Sequence, residues 1–237
     1  MNKNLKVLGL IPARGGSKGI PKKNLYPIMG KPLLQYTFDA AHKSRYINQI
    51  ILSSEDAEIR DFALRSNINT EYQRPEKLAT DEATTIDVVL DVLDWLEARN
   101  ELPDILVLLQ PTSPLRTEQD IDQALEAFIE QEMSSQVSVH PMIEHPFKCM
   151  RTDGAGNWQF LAQPEKYVSR RQDYQNNYFA INGALYIVKP QWLREKGNFV
   201  VESETQLFEM TSVAGVDVDD LTDIFQVEAY LRMASKF

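Results

Sequence analysis

The feature of this sequence that most restricts its fold is an alternation of short apolar runs with longer segments of helical periodicity. The apolar runs predict strands at 6–11, 49–53, 105–110, 136–140 and 180–188. Segments with apolar residues every three or four positions predict helices at 33–42, 56–66, 84–98, 117–130 and 221–233. Continuous apolar strands are typical of a sheet that is covered on both faces. The alternation therefore predicts a layered α/β domain.

Two local signals refine this prediction. Thr117 stands directly before an acidic stretch and a helical apolar pattern, so it is predicted to cap the amino end of that helix. Between about 141 and 178 the alternation lapses into Pro, Gly, Asn and aromatic residues. There, a turn at 153–157 separates two short runs at 147–151 and 158–160. This pattern predicts a β-hairpin that leaves the main sheet.

Composition limits the classes of function. The 237 residues are 43% hydrophobic, which is enough to bury a core as one large domain or one domain with an appendage. The net charge of −9 argues against a nucleic-acid or anionic-membrane binder and favours small molecules or proteins as partners. The longest aliphatic run has five residues, 105–109, whereas a membrane span needs about 20, so we expect a soluble protein. A single cysteine, Cys149, and the lack of zinc-site spacings favour a reducing, cytoplasmic location.

Positive charge is concentrated at the amino end. Residues 1–38 contain seven Lys and Arg and no acidic residue, although the whole chain is acidic. Within this segment a glycine-rich loop, IPARGGSKG at 11–19, directly follows the first predicted strand. Glycines allow close backbone approach to a ligand and can aim amide groups at an anion, which nearby cations also attract. The loop residues Arg14, Gly15, Gly16, Ser17 and Lys18 are therefore predicted to bind phosphate groups, with triphosphate as the natural ligand.

Two familiar phosphate loops do not fit. A Walker loop would end in Gly-Lys-Ser/Thr, whereas Gly19 precedes Ile20. A Rossmann fingerprint would open a helix, whereas Pro21 and the charged residues after it favour a continuing extended loop. The remaining alternative is a solvated surface turn with incidental lysines.

A pair of carboxylates marks the other end of the chain. Asp217 and Asp219 stand at positions i and i+2, which puts both on one face of an extended segment. Magnesium accepts one or two carboxylates together with substrate phosphates and water. An equally open interpretation is that these acids, with Asp220, cap the last helix. A metal-phosphate site would require the glycine-rich loop and this acidic segment to meet at one pocket.

Five motifs occur in the order found in one enzyme family. They are IPARGGSKGIPKKN at 11–24, LQPTSPLR at 109–116, RQ at 171–172, NGALY at 182–186 and VDVD at 216–219. Together they resemble the CMP-sialic acid synthetases, also called N-acylneuraminate cytidylyltransferases, from about residue 5 to residue 233. The resemblance implies a three-layer, Rossmann-like nucleotidyltransferase domain over 1–237, with a mainly parallel sheet and a dimerisation arm inserted at about 141–178.

The implied reaction joins CTP to a nine-carbon 2-keto sugar acid, with release of pyrophosphate. Such a transfer depends on positioning and charge compensation rather than on a covalent nucleophile. By resemblance, Arg14 and Lys23 hold the triphosphate with support from Lys18, and Asp217 and Asp219 bind Mg²⁺. These assignments make Arg14, Lys23, Asp217 and Asp219 the predicted catalytic residues. On the nucleotide side the resemblance adds Asn24, Arg74 and Thr85, although Arg74 could be a surface arginine and Thr85 a helix-start residue.

The sugar-acid side is also assigned by resemblance. The planar guanidinium of Arg171 suits the substrate carboxylate, and Gln172, Gln110 and Tyr186 are expected nearby. Lys148 matches a family lysine that reaches the neighbouring subunit's site, which implies a homodimer. The alternative is that the aromatic residues of the arm, Phe147, Trp158 and Phe160, fill a satellite core within one chain.

One departure from the family pattern concerns the acceptor. Where many members have adjacent aromatic residues beside the acyl-amide group of the sugar, this sequence has Phe199-Val200-Val201. The acceptor could therefore be N-acetylneuraminate or a diamino relative such as legionaminic or pseudaminic acid. Two further possibilities are a nucleotidyltransferase for a different sugar acid, including an eight-carbon one, and a non-catalytic nucleotide-binding regulatory protein.

Overall fold

The computed structural model describes residues 5–163 and 178–234. Two predicted acceptor residues, Arg171 and Gln172, lie outside these ranges. The strands are β1 (Val7–Pro12), β2 (Pro27–Ile28), β3 (Lys31–Pro32), β4 (Gln49–Ser53), β5 (Ile105–Leu108), β6 (Ser135–Pro141), β7 (Met150–Thr152), β8 (Trp158–Phe160), β9 (Phe179–Val188) and β10 (Thr205–Glu209). The α-helices are α1 (Leu33–Lys43), α2 (Ala57–Arg65), α3 (Thr85–Glu97), α4 (Glu118–Glu130), α5 (Pro190–Lys196) and α6 (Leu221–Ala234).

The predicted helices and main-sheet strands are present with their ends within two residues of the prediction, whereas β2, β3, α5 and β10 were not predicted. Local capping explains why two of the helices begin where they do. The hydroxyls of Thr84 and Thr117 accept hydrogen bonds from the backbone amides three residues later, at the starts of α3 and α4. In each case the acid at that third position, Asp87 or Asp120, bonds back to the amide of the threonine. This reciprocal arrangement confirms the predicted cap at Thr117.

The central sheet has six strands in the order β10-β6-β9-β5-β1-β4. β1 pairs in parallel with β4 and β5, and β10 pairs in parallel with β6. β9 runs antiparallel to both of its neighbours, β5 and β6, and the register shifts between Val137 and Val139. The sheet is therefore mainly parallel, as predicted, with one reversed strand in its centre.

Helices cover both faces of this sheet. One face packs against α1, α2 and α4 in a buried cluster that contains Ile11, Phe38 and Phe128. The other packs against α3 and α5 in a cluster that contains Leu10, Val92 and Leu193. Neighbouring residues of β1 serve opposite clusters because successive side chains of a strand alternate between its faces. The result is the predicted three-layer α/β architecture.

A third, smaller cluster joins the two ends of the chain. It buries Ile20 from the glycine-rich loop, Ile28 of β2, Val218 from the acidic segment, and Ile224 and Val227 of α6. Val218 is fully buried between two carboxylate residues, Asp217 and Asp219, which are both exposed. Burying an aliphatic side chain of this size contributes about 1.5–3 kcal/mol. The cluster therefore holds the acidic segment against the loop.

The predicted hairpin is present as β7 and β8, outside the main sheet. Trp158 and Phe160 are 58% and 43% exposed, so the described part of the chain does not bury them in a satellite core. Phe147 differs, because it packs in part against Tyr178, with ring centroids 5.6 Å apart. Within the described ranges, the helices are too short or too polar to cross a membrane.

Candidate active site

A cleft of about 490 Å³ opens at the carboxyl ends of β1 and β5. Its walls come from three separate stretches: the glycine-rich loop after β1, the segment that leads into α3, and the residues that follow β5. Asp219 closes the cleft from the carboxyl-terminal segment. Ligands of open α/β sheets bind at this edge, where the parallel strands end. The sequence-predicted loop and acidic segment therefore meet at one cleft.

Lys23 makes the direct contact between these two regions. Its Nζ atom donates hydrogen bonds to the carbonyl of Val218 at 2.9 Å and to Oδ1 of Asp219 at 3.3 Å. The Lys23 side chain lines the cleft and is only 17% exposed, so little of its surface is in contact with solvent. Gly19 also lies against the backbone carbonyl of Asp219, at a distance that leaves no room for a Cβ atom. The loop and the acidic segment are therefore in tight backbone contact.

Different acids cap the last helix. The Asp220 carboxylate accepts hydrogen bonds from the amides of Thr222 and Asp223, and the Asp223 carboxylate accepts from the amides of Asp219 and Asp220. Asp217 and Asp219 are not needed for this cap. Asp219 lines the cleft, and its carboxylate accepts from Lys23. Asp217 is not among the residues that line the cleft, and its carboxylate accepts from the Thr112 side chain, so the helix cap uses neither carboxylate.

Asp217 has an unusual electrostatic environment. Although the residue keeps solvent-exposed surface, partial removal of water from its carboxylate raises its pKa, and the charge of Asp219 raises it further. A hydrogen bond from the Thr112 side chain and the charge of Lys23 act in the opposite direction. Thr112 also fixes the backbone, because its carbonyl accepts a 2.8 Å hydrogen bond from the Val218 amide. Two neighbouring carboxylates, one partly desolvated, form a site that a divalent cation would stabilise.

Within the glycine-rich loop, the structure separates the residues that face the cleft from one that does not. Gly16 and Ser17 line the cleft, as predicted for phosphate contacts. The amide of Gly15 instead donates a 2.7 Å hydrogen bond to Oε1 of Glu55, so this backbone donor is already used inside the protein. The Asn24 side chain lines the cleft and donates to the carbonyl of Arg14, which fixes the loop from within.

The two outer cations of the loop share one acid. Arg14 Nη1 lies 2.8 Å from Oδ1 of Asp81, and Lys18 Nζ lies 2.7 Å from Oδ2 of the same carboxylate. The hydrogen bonds from Lys18 and Arg14 hold the pKa of Asp81 below its ordinary value. Asp81 lines the cleft from the segment that leads into α3, so these ion pairs join two of its walls.

The remaining nucleotide-side candidates, Arg74 and Thr85, also line the cleft. Arg74 is buried and donates hydrogen bonds to the hydroxyl of Ser53 at 3.0 Å and to the carbonyl of Ser53 at 2.8 Å. Burial lowers the pKa of the Arg74 guanidinium. It is therefore not the surface arginine of the alternative interpretation. Thr85 is the first residue of α3, and the capping role belongs to Thr84 instead.

A second cavity of about 360 Å³ shares Gln110, Thr84 and Thr85 with the first. Tyr186 lines only this second cavity, where its ring packs against Phe199 with centroids 5.2 Å apart. Burial raises the pKa of the Tyr186 hydroxyl, and the charge of Asp217 raises it further. The ten described residues that line the second cavity are uncharged, and five of them are apolar. Gln110 therefore stands at the junction of a charged cleft and an uncharged one.

The structure does not bring every acceptor candidate to these cavities. Lys148 is exposed on a short 3₁₀ helix, Pro146–Lys148, and lines neither of them. Its predicted role in a neighbouring subunit's site stays a prediction, as do the roles of Arg171 and Gln172.

Several residues of the site were not singled out from the sequence. Asp81 and Glu55 both engage the loop, but neither carboxylate was singled out from the sequence, and their contacts are seen only in the tertiary structure. Thr112 and Arg116 lie inside LQPTSPLR, where the motif was noticed but its individual roles were not. Arg116 is buried and donates to the carbonyls of Gln110 and Ala184 and to the hydroxyl of Thr37, which anchors the segment that carries Gln110 and Thr112.

Solved structures of nucleotide-transferring enzymes share this architecture. A structure of CMP:2-keto-3-deoxy-manno-octonic acid synthetase complexed with CTP aligns over 98% of this chain and 100% of its own, with a TM-score of 0.71 and 17% identity. The 4-diphosphocytidyl-2C-methyl-D-erythritol synthase of Anaerococcus prevotii aligns over 96% of each chain, with a TM-score of 0.66 and 14% identity. At these identities the likeness defines the fold class, a Rossmann-like nucleotidyltransferase domain.

Sequence comparison identifies the family. The family model described as cytidylyltransferase matches residues 8–226, and the chain belongs to this family. It is 33% identical to CMP-N,N'-diacetyllegionaminic acid synthase of Legionella pneumophila over 97% of both chains. It is 30% identical to pseudaminic acid cytidylyltransferase of Campylobacter jejuni over 93% of this chain and 94% of that one. It is 35% identical to N-acylneuraminate cytidylyltransferase of Streptococcus agalactiae over 96% of this chain, which spans 54% of that relative. The protein is therefore an enzyme of the cytidylyltransferase type.

Proposed function

We propose that this enzyme transfers the CMP unit of CTP to a nine-carbon 2-keto sugar acid and releases pyrophosphate. The observation that carries the proposal is the meeting of the Arg14–Lys23 loop with the Asp217–Asp219 segment at one cleft, beside a second, uncharged cavity. The charged cleft has the residues to bind a metal-bound triphosphate, and the adjoining cavity has room for an acceptor. Relatives at 30–35% identity are named for pseudaminic, legionaminic and neuraminic acids, which supports this class of acceptor.

In this reaction the oxygen of the acceptor's anomeric hydroxyl bonds to the α-phosphorus of CTP and releases its proton to solvent. The bond from that phosphorus to the bridging oxygen breaks, and its electron pair leaves with the pyrophosphate. Negative charge accumulates on the leaving pyrophosphate. Lys23, Arg14 and Lys18 lie on one side of the cleft, where they would compensate that charge. Gln110 at the junction of the two cavities would orient the acceptor hydroxyl towards the nucleotide. Covalent catalysis by a protein nucleophile is not required.

The two acidic residues fit a magnesium ion. Within the described ranges no group of three or more His, Cys, Asp or Glu could by itself hold a metal ion. A cation at Asp217 and Asp219 would therefore take its other oxygen ligands from phosphates and water. A bound Mg²⁺ would neutralise negative charge on the phosphate oxygens during the transfer. Lys23, already in contact with Asp219, would keep that carboxylate oriented towards the cleft.

The second cavity bears on the identity of the acceptor. Ile86, Ile181, Phe199 and Val200 give it apolar walls, and its polar side chains are the uncharged groups of Thr84, Thr85, Gln110, Tyr186 and Asn198. An apolar wall favours methyl, deoxy and acyl groups over a polyhydroxylated chain. This argues for a nonulosonate with deoxy and acylamino substituents, in the class of legionaminic and pseudaminic acids. The carboxylate of that acceptor would bind Arg171, with Gln172 beside it.

We also propose that the enzyme works as a homodimer through the hairpin arm. Ile143, Met150, Trp158 and Leu161 are more than half exposed on and beside β7 and β8. Several large exposed apolar side chains on one excursion of the chain favour an interaction site. A second copy docked there would cover it and would give Lys148 a route to the partner's acceptor cavity.

A cytoplasmic location fits these assignments. Cys149 is the single cysteine of the sequence and is free, so the protein does not depend on an intrachain disulfide. A reducing compartment would therefore leave the fold intact.

The deciding experiment is a pyrophosphate-release assay over a matrix of nucleoside triphosphates and sugar acids with Mg²⁺. We expect turnover with CTP and nonulosonates, and preference for a 9-deoxy, diacylamino acceptor over N-acetylneuraminate. Turnover with an eight-carbon acid alone would replace the acceptor assignment, and turnover with GTP but not CTP would overturn the nucleotide assignment. CTP binding without turnover for any acceptor would favour the regulatory alternative. The Asp217→Ala variant separates binding from chemistry, since it should bind CTP yet lose most turnover.

A further inference from the structure

Two cations of the glycine-rich loop, Arg14 and Lys18, are bridged by a carboxylate from the segment that leads into α3. Asp81 receives Arg14 on one oxygen at 2.8 Å and Lys18 on the other at 2.7 Å. All three side chains line the cleft. The geometry is that of one anion held between two cations, which is the arrangement a phosphate group would adopt at the same place.

A second carboxylate engages the same loop. Glu55 Oε1 accepts the amide proton of Gly15 at 2.7 Å, and none of the described residues donates to its other oxygen, Oε2, which is buried. Acids of this chain therefore use one backbone amide and two side-chain cations of the loop. Lys23 differs, because its shorter hydrogen bond goes to a neutral carbonyl, that of Val218. The charges of Arg14 and Lys18 are thus compensated by an acid of the protein itself, whereas the charge of Lys23 is compensated less.

We propose that Asp81 is a selectivity residue of the nucleotide site, an internal counter-ion that competes with phosphate groups for Arg14 and Lys18. This rests on the proposed function, in which the triphosphate of CTP binds these cations. A ligand can form ion pairs with Arg14 and Lys18 only after it displaces the Asp81 carboxylate. Ligands with several phosphate charges can do so, whereas a monophosphate gains too little. After transfer, the return of Asp81 to both cations would assist the departure of pyrophosphate.

The size of the effect follows from exposure. The side chains of Arg14, Lys18 and Asp81 are 37%, 81% and 49% exposed, so water screens both ion pairs. Exposed pairs of this kind are individually weak. Together, two such pairs correspond to a change of about threefold to tenfold in a dissociation constant. The sign of the change is more informative than its size.

Other roles for Asp81 predict the opposite sign. If its carboxylate bound a metal ion together with the triphosphate, or held the loop in its binding conformation, removal of its charge would weaken CTP binding. A counter-ion that must be displaced predicts tighter binding when the charge is removed. The two interpretations can be separated by a single isosteric substitution, Asp81→Asn.

The test is calorimetric titration of the full chain with CTP, pyrophosphate and CMP, each in the presence of Mg²⁺. Asp81→Asn should bind CTP and pyrophosphate about threefold to tenfold more tightly than the wild type, with CMP affinity unchanged. Asp81→Glu, which keeps the charge, should restore wild-type values. Asp61→Asn is the matched control, because it removes an exposed acid from another arginine ion pair, with Arg65 on α2. Its affinities should equal those of the wild type.

Weaker or unchanged CTP binding by Asp81→Asn would overturn the proposal, and so would an equal gain for CMP. These results leave the proposed function intact as long as the wild type binds CTP and releases pyrophosphate. A wild type that binds no CTP would instead contradict the proposed function, and the role of Asp81 would fall with it.

Discussion

Replacement of Gly19 by alanine tests the contact between the two ends of the chain. A Cβ atom at this position would lie closer than 3.0 Å to the backbone carbonyl of Asp219, whereas ordinary van der Waals contact begins at 3.4 Å. The obstacle is backbone, so no side chain can rotate away, and the loop and the acidic segment must separate by several tenths of an ångström or more. A displacement of about 1 Å at a catalytic constellation can cost about 100-fold in rate. We therefore expect Gly19→Ala to lower kcat/KM by about 10- to 100-fold in the pyrophosphate-release assay.

The matched comparison is Gly16→Ala in the same loop. A Cβ atom at Gly16 meets no other atom within 4 Å, so it leaves the protein backbone undisturbed, and any loss reports only crowding of the bound phosphates. We expect a loss of less than about tenfold, at the lower limit of the Gly19→Ala range. Gly16→Ala should unfold at the same denaturant concentration as the wild type within experimental error. Gly19→Ala should unfold at a lower concentration, because its Cβ atom forces two packed backbone segments apart. Wild-type kcat/KM for Gly19→Ala would refute the claim that this contact sets the geometry of the site.

Three further predictions concern the metal, the anchor of the loop and the helix cap. Asp217→Ala should lower kcat by about 100-fold or more, while isothermal titration shows little change in CTP affinity. Chelation of Mg²⁺ should abolish wild-type turnover until the metal is restored. Equal turnover with and without chelator would contradict a role for the metal. Arg116→Met should lower the free energy of unfolding by about 1–3 kcal/mol in urea titrations, because it removes the guanidinium that donates to the buried carbonyl of Ala184. Thr117→Val should lower it by about 1 kcal/mol through loss of the α4 cap, and a neutral result would show that Asp120 alone suffices.

Much of the fold could be predicted because its signals are local. Apolar periodicity defines the strands and helices, and the reciprocal Thr117–Asp120 cap can be recognised from residue types three positions apart. The order of the strands cannot be obtained in this way. β9 is inserted antiparallel between β5 and β6, and its pairing depends on contacts between residues far apart in sequence, such as Leu108 with Tyr186. β10 was missed because it alternates partly buried with exposed residues at the edge of the sheet and has no continuous apolar run.

The site shows the same division. Residue chemistry pointed to phosphate binding by the loop and to metal binding by Asp217 and Asp219. That the two regions meet follows from the burial of Ile20 with Val218, two aliphatic residues without chemical signature. Glu55 and Asp81 were not identified from the sequence as partners of the loop. The chain has 34 Asp and Glu residues, and residue type alone does not show which of them contact the loop.

A crystal structure of the enzyme with CTP and Mn²⁺ in place of Mg²⁺ tests the central claim most directly, because anomalous scattering locates the metal independently of the refined coordinates. We expect a single strong peak or a close pair between the carboxylates of Asp217 and Asp219 and the triphosphate, with the phosphates also held by Arg14 and Lys23. Metal and triphosphate bound away from these carboxylates, or a triphosphate that contacts neither cation, would contradict the account.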